Sequence, residues 1–305
     1  MKTQPLTRRS FLKSSAMTFA AASIAPAFLN RASAATASKQ RDIKKAIMYA
    51  TVGVKGSVLE KFHAVKDAGF GGIEPMGGMD QKEVLEAFAA TGLKAASVCC
   101  HSHWDKPLSS ADPATRQIGL DGLKQSLRDA KAYGATSVLL VPGVARGGVS
   151  YDECFQRSIV EIKKAIPLAA ELGVKIAIEN VWNDFVTTPQ QADAYLKAID
   201  SPQVGWHFDI GNVGRYSPAE QWIPIIGKRI LKLHIKEFDT RKMTKEKPGS
   251  GFDAKFLEGT NDWPAIMKAL DAIGYAGWGI AEQGGGGTPE GLKDLAERMD
   301  RIFAS

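Results

Sequence analysis

The chain has 305 residues, 44% of them apolar and 24% charged, with a formal charge of +6 and a pI near 9.1. That length suits one large domain or two small ones. The three cysteines, Cys99, Cys100 and Cys154, are too few for a disulfide framework, and the adjacent pair reads as small core residues.

The basic excess belongs to the front of the chain. MKTQPLTRRSFLKSSAMTFAAASIAPAFLNRASA opens with Arg8 and Arg9, continues through an alanine-rich apolar stretch and ends in a small-x-small site at Ala32-Ser33-Ala34. This is the layout of a cleaved secretory signal, and the paired arginines indicate the twin-arginine route. The apolar stretch, Met17 to Leu29, is shorter than the ~20 residues a membrane-spanning helix needs, so no stable membrane anchor is expected. Residues 1–34 are therefore read as a signal peptide, and the mature protein as exported, to the periplasm or beyond. Lys2, Arg8, Arg9, Lys13 and Arg31 lie in that leader without an acid, so removing these five charges leaves the mature chain at +1. A nearly neutral chain gives no basis for binding nucleic acid or an anionic membrane.

From residue 35 onward, short apolar runs alternate with longer amphipathic ones. The expected strands are AIMYA (46–50), GGIEPM (71–76), LKAASVCC (93–100), TSVLLVPG (136–143), VKIAIEN (174–180), VGWHFDIGN (204–212), ILKLHIKEF (230–238) and GWGIAEQ (277–283). Helical patterns lie between them, among them SVLEKFHAVKDAG, QKEVLEAFAATG and YDECFQRSIVEIKKAIPLAAELG. Five helices end in a glycine followed by the next strand's first residues, as in Leu-Gly-Val at 172–174. Eight strand–helix units point to an α/β fold, a single (β/α)8 barrel over 35–305. A doubly wound sheet would usually carry a glycine-rich phosphate loop after its first strand, and Tyr49 to Gly53 is not one.

In such a barrel the C-terminal strand ends form the active-site face. Four consecutive strands end in polar groups: Glu179 in IAIEN, Asp209 in HFDIGN, His234 in LKLHIKEFD and Glu282 in IAEQ. A strand-end carboxylate alone could simply cap the next helix, and a lone histidine could be a core residue. Four in succession point to one divalent cation, with Mn2+ favoured and Mg2+, Co2+ or Zn2+ also compatible with oxygen-rich ligation. Without a cation, three buried carboxylates would repel one another and lose hydration.

At these residues the sequence resembles the xylose isomerase-like barrel family of sugar isomerases and epimerases. The resemblance spans the mature chain and is most specific over 176–191, 204–214, 231–239 and 259–283. It implies that Glu179, Asp209, His234 and Glu282 hold the metal. It implies also that Glu179 and Glu282 exchange the proton α to a sugar carbonyl through a metal-stabilised enediolate. His101 and His103 are expected at the mouth, where a family histidine contacts substrate oxygens; either could instead be a loop histidine. Glu74, Trp182, Asn212 and Lys236 are further candidates for substrate contact, and Trp104 for stacking. Lys236 could alternatively pair with Glu237 or Asp239, and the tryptophans could merely pack loops.

Two positions depart from the tagatose-type 3-epimerases of that family, which carry a histidine where this chain has Asn212 and a glutamate where it has Phe185. The apurinic endonuclease branch needs more histidines than the five present, and a basic surface. The glycine-rich segment 283–292 could hold a phosphate at a helix start. However, Thr288-Pro289-Glu290 reads as an ordinary helix start with its own acid, and export favours an unphosphorylated sugar. The expected function is a divalent-metal-dependent sugar isomerase or epimerase. The alternatives are a 3-keto-glycoside lyase using the same metal and glutamates, and a catalytically inactive sugar-binding protein. Oligomeric state is left open.

Overall fold

The computed structural model describes residues 41–305, so the expected signal peptide over 1–34 lies outside the described residues. In chain order the elements are β1 (Ile43–Met48), α1 (Val58–Asp67), β2 (Gly72–Glu74), α2 (Gln81–Thr91), β3 (Lys94–Ala95), β4 (Val98–Cys99) and α3 (Pro113–Tyr133). They continue with β5 (Ser137–Leu140), α4 (Tyr151–Leu172), β6 (Lys175–Glu179), α5 (Pro189–Ile199), β7 (Val204–Asp209), the one-turn α6 (Ile210–Val213) and α7 (Ala219–Ile226). β8 (Ile230–Ile235), α8 (Trp263–Ala272), β9 (Gly277–Ala281) and α9 (Pro289–Ala304) complete the chain.

All strand pairs are parallel, in the order β3-β2-β1-β9-β8-β7-β6-β5-β4. β3 and β4 are two pieces of the expected strand 93–100, interrupted at Ala96 and Ser97. The first piece pairs with β2 and the second with β5. Beyond β2, Cys99 N donates to Pro75 O at 2.9 Å and Gly77 N donates to Cys99 O at 2.8 Å, which brings the two sheet edges together. Nine ladder segments thus make eight staves of a nearly closed barrel, as the alternation of the sequence requires.

Local chemistry accounts for the helix ends. α1, α4 and α5 begin with reciprocal capping boxes at Ser57/Glu60, Ser150/Glu153 and Thr188/Gln191. The five helix-ending glycines, Gly69, Gly92, Gly134, Gly173 and Gly274, all adopt positive φ, which a side chain would disfavour.

Strand alternation separates two environments. In β7 and β8, Trp206, Phe208, Leu233 and Ile235 belong to the buried apolar layer beneath the helices. The alternate residues His207, Asp209, Lys232 and His234 are also buried but point into the barrel. A small apolar cluster of Ala46, Ala96 and Ile280 fills the interior beside that polar column. Four of these eight residues are therefore titratable groups inside the barrel, which is where chemistry concentrates. Among the described residues no helix is long and apolar enough to cross a membrane.

Candidate active site

Glu179 ends β6, Asp209 ends β7, His234 lies in β8, and Glu282 directly follows β9. Register aligns these ends, with Asp209 opposite His234. One donor atom from each of the four lies within 4.8 Å of all the others. His234 Nδ1 is 2.8 Å from Glu179 Oε1 and 2.8 Å from Glu282 Oε2.

Asp209 divides its carboxylate between two tasks. Oδ1 accepts from Asn212 N at 2.8 Å and caps α6, while Oδ2 turns toward the cluster. The capping role falls to Oδ1 alone, so Oδ2 is left free of the cap and faces the other three side chains. Asn180, adjacent to Glu179, supports the arrangement. Its Nδ2 donates to Asp209 O, and its Oδ1 accepts from Asp209 N and from Trp206 Nε1.

The residues fit a divalent cation. Asp209 Oδ2 and Glu282 Oε2 are buried and accept no aligned hydrogen bond, although Lys236 Nζ stands 3.1 and 2.8 Å away as an ion contact. Three carboxylates crowded round one imidazole, with oxygens left over, make a donor set for a hard or borderline metal. In the metal-free protein the burden falls unevenly. Burial pushes the Glu179 carboxyl up to about 7, with His234 opposing. Burial likewise raises Asp209 to about 6 against Lys236. Burial also acts on Glu282, but Lys236 and His234 outweigh it and hold that carboxyl well below its ordinary range.

Above the cluster lies a cavity of about 220 Å3. Glu179, Glu282, His234, Lys236, Asn212 and His103 supply its polar lining; Met48, Cys99, Trp104, Val181, Trp182 and Phe252 supply the rest. His103 is buried, its Nδ1 accepts from Val141 N at 3.1 Å, and burial lowers its pKa to about 3, so it is neutral at physiological pH. Trp182 is fixed by donation from Nε1 to Asn212 O at 2.8 Å and by Phe252 at 4.8 Å between ring centroids. Asn212 in turn donates through Nδ2 to Asn180 O. Trp104 is half exposed at the rim.

Of the expected substrate residues, His103, Trp182, Asn212 and Lys236 line the cavity, as does Trp104. Two do not. His101 is exposed and absent from the lining, because residues 101–105 form turns in which strand alternation no longer applies. Glu74 is wholly buried beneath His234 and has no access to the cavity. Its expected sugar contact is replaced by contacts to Ser97 and His234. Lys236 does not pair with Glu237 or Asp239. Trp263 Nε1 and three backbone N–H groups hold the former carboxylate, and Arg241 the latter.

Sequence reasoning did not single out His207, Phe252 or Gln283. His207 is fully buried with its ring centroid 4.2 Å from that of His234, edge to face. Its spacing, two residues before Asp209, was a usable signal for the same barrel face. Phe252 comes from the long loop after β8, whose basic composition gave no hint that it covers the site. Gln283 holds it there, donating from Nε2 to Phe252 O and Ala254 O while its Oε1 accepts from Glu237 N. Phe185, at one of the two departures, lies in a buried aromatic cluster with Tyr151 and Tyr195.

The chain belongs to the xylose isomerase-like TIM barrel family, whose model matches residues 62–302. It is 24% identical over 222 residues, 72% of this chain and 75% of that protein, to an L-ribulose-5-phosphate 3-epimerase of Salmonella paratyphi A. Among solved structures, the 3-keto-D-glucoside 4-epimerase of Escherichia coli superposes with a TM-score of 0.71 at 19% identity, over 86% of this chain and 100% of that one. The IolI protein, solved with a zinc atom bound, superposes with a TM-score of 0.69 at 17% identity, over 86% and 98%. At such identities the superpositions establish the shared fold.

Proposed function

We propose that the chain is a divalent-metal-dependent sugar epimerase or isomerase that moves the proton on a carbon next to a carbonyl. The observation that carries this reading is the convergence of Glu179, at the end of β6, and Glu282, just after β9, on His234 Nδ1, each at 2.8 Å. A cation held by Glu179, Asp209, His234 and Glu282 supplies Lewis-acid stabilisation of negative charge on the substrate's carbonyl oxygen.

The chain's own groups do the rest. One glutamate accepts the carbon-bound proton as its C–H bond breaks, and the other returns a proton to the opposite face, inverting the centre. Lys236 steadies the charge of Glu282 and Asp209, while Trp182 and Phe252 exclude water from one side of the cavity.

The substrate is taken to be unphosphorylated. Among the described residues, Lys236 is the one lysine or arginine lining the cavity, and two carboxylates already engage it. The glycine-rich loop offers no substitute. Gly286 O accepts from Gly53 N, Thr288 caps α9 through Gly291 N, and Glu60, Asp67 and Glu290 stand beside that helix start. This departs from the phosphorylated substrate in the relative's name.

A second reading, β-elimination from a 3-keto-glycoside, shares the first proton removal. The half-exposed Trp104 beside Trp182 favours it, since together they offer an apolar rim for a leaving aglycone. Export through the twin-arginine leader is proposed alongside, and N-terminal sequencing of the secreted protein tests it by locating cleavage after Ala34.

Incubation with Mn2+ in D2O, against free ketoses and 3-keto-glucosides, tests the reaction. One deuterium per otherwise intact sugar, lost on chelation, is the expected result. Aglycone release would favour elimination, and no exchange from any of these sugars with metal bound would contradict both.

A further inference from the structure

Glu74 is a carboxylate that the proposed reaction does not use. It ends β2, is wholly buried, and contributes nothing to the cavity wall. Its Oε2 lies 3.0 Å from His234 Nε2, and its Oε1 accepts from the Ser97 hydroxyl. Ser97 is also wholly buried, in the break between β3 and β4. That interruption turns its side chain toward Glu74. On the far side of the imidazole, Nδ1 faces Glu179 and Glu282.

A buried carboxylate needs donors, because it has lost its hydration and must replace those hydrogen bonds within the protein. Ser97 supplies one donor at Oε1. Among the described residues the hydrogen-bond partner of Oε2 is His234 Nε2, 3.0 Å away, so the ring carries a hydrogen there. With that hydrogen tied to Glu74, Nδ1 is the nitrogen that gives up its proton and offers a lone pair when a cation enters the cluster. His207, packed edge-on at 4.2 Å, limits how the ring can turn.

We infer that Glu74, held by Ser97, is a positioning residue that fixes the His234 tautomer and aims Nδ1 at the cation. The inference rests on the metal-centre reading. A ligating histidine tied through its other nitrogen to a carboxylate is oriented and made more basic, and loss of such a partner typically weakens metal binding about 10- to 100-fold.

The test uses the mature chain, wild type, Glu74→Gln and Ser97→Ala, stripped of metal and titrated with Mn2+ by calorimetry. Thermal melting of the metal-free proteins checks the fold. Glu74→Gln should bind Mn2+ about 10- to 100-fold more weakly. Ser97→Ala should change affinity in the same direction but less, and the double variant should be no worse than Glu74→Gln. If Glu74→Gln fails to fold, Ser97→Ala still decides the matter. Wild-type affinity in the folded variants would overturn the inference.

A second readout needs no metal. In 15N-labelled protein the His234 Nε2 proton should resonate far downfield, and Glu74→Gln should move it upfield. An unmoved signal overturns the positioning role. If the wild-type protein binds no divalent cation, the metal-centre reading fails by itself, and the ring signal still shows whether Glu74 holds Nε2–H.

Discussion

Lys236 Nζ lies 2.8 Å from Glu282 Oε2, joining the end of the stave that carries β8 to the end of the stave that carries β9. The same ammonium is 3.1 Å from Asp209 Oδ2, so one buried cation serves two of the three clustered carboxylates. It does part of what a divalent metal would do, from the side rather than the centre.

Removing that ammonium should hurt the metal-free protein most. Lys236→Met leaves Asp209 and Glu282 facing each other, and breaking a buried ion pair costs about 3 kcal/mol or more. Denaturant midpoints should fall clearly without metal and recover in part with saturating Mn2+. An equal loss in both states would show that Lys236 acts by packing alone.

The two glutamates should fail differently. At saturating Mn2+, Glu179→Gln and Glu282→Gln should each lower epimerisation by about 10²- to 10⁴-fold. Each should retain slow solvent exchange with one epimer and lose it with the other. Deuterium wash-in measured separately from the two epimers reads this directly. Identical losses from both would mean that one residue does all the proton transfer.

Gln283 should govern substrate binding through Phe252. Gln283→Leu leaves Glu237 N, Phe252 O and Ala254 O without their side-chain partner, at a cost of about 1–3 kcal/mol. The loosened wall should raise KM more than it lowers kcat. A kcat loss at constant KM would place Phe252 in the chemistry instead.

His103 should make the protein acid-sensitive. Burial lowers it from 6.5 to about 3, so the unfolded chain binds a proton that the folded one refuses. Its stabilising effect is complete above pH 6.5 and is lost as pH falls toward 3. His103→Asn keeps an acceptor for Val141 N without the titration. Urea midpoints measured from neutral pH down to about pH 4 should therefore drop less in the variant than in the wild type. Parallel curves would contradict the neutral, buried assignment.

Much of this site was readable from the chain. Period-two strands put Glu179, Asp209, His234 and Glu282 on inward positions at four consecutive stave ends, and parity alone also brought Lys236 to the mouth. Depth was not readable. Glu74 obeys the same strand-end rule, yet it meets His234 across the barrel, a contact set by the stagger of distant strands rather than by local spacing. Phe252 was hidden for a related reason. Its place depends on Gln283, which is a loop residue in sequence and a clamp only in space. His101 and His103 differ by two residues, but the turns they occupy abolish the alternation that would have given them a common face.

The central claim is that Glu179, Asp209, His234 and Glu282 hold one catalytic cation. Anomalous diffraction from a crystal of the mature protein soaked in Mn2+ tests it most directly. The account predicts a single strong peak bounded by these four side chains, with His234 contributing Nδ1. A peak elsewhere, or none at a concentration that supports turnover, would contradict it.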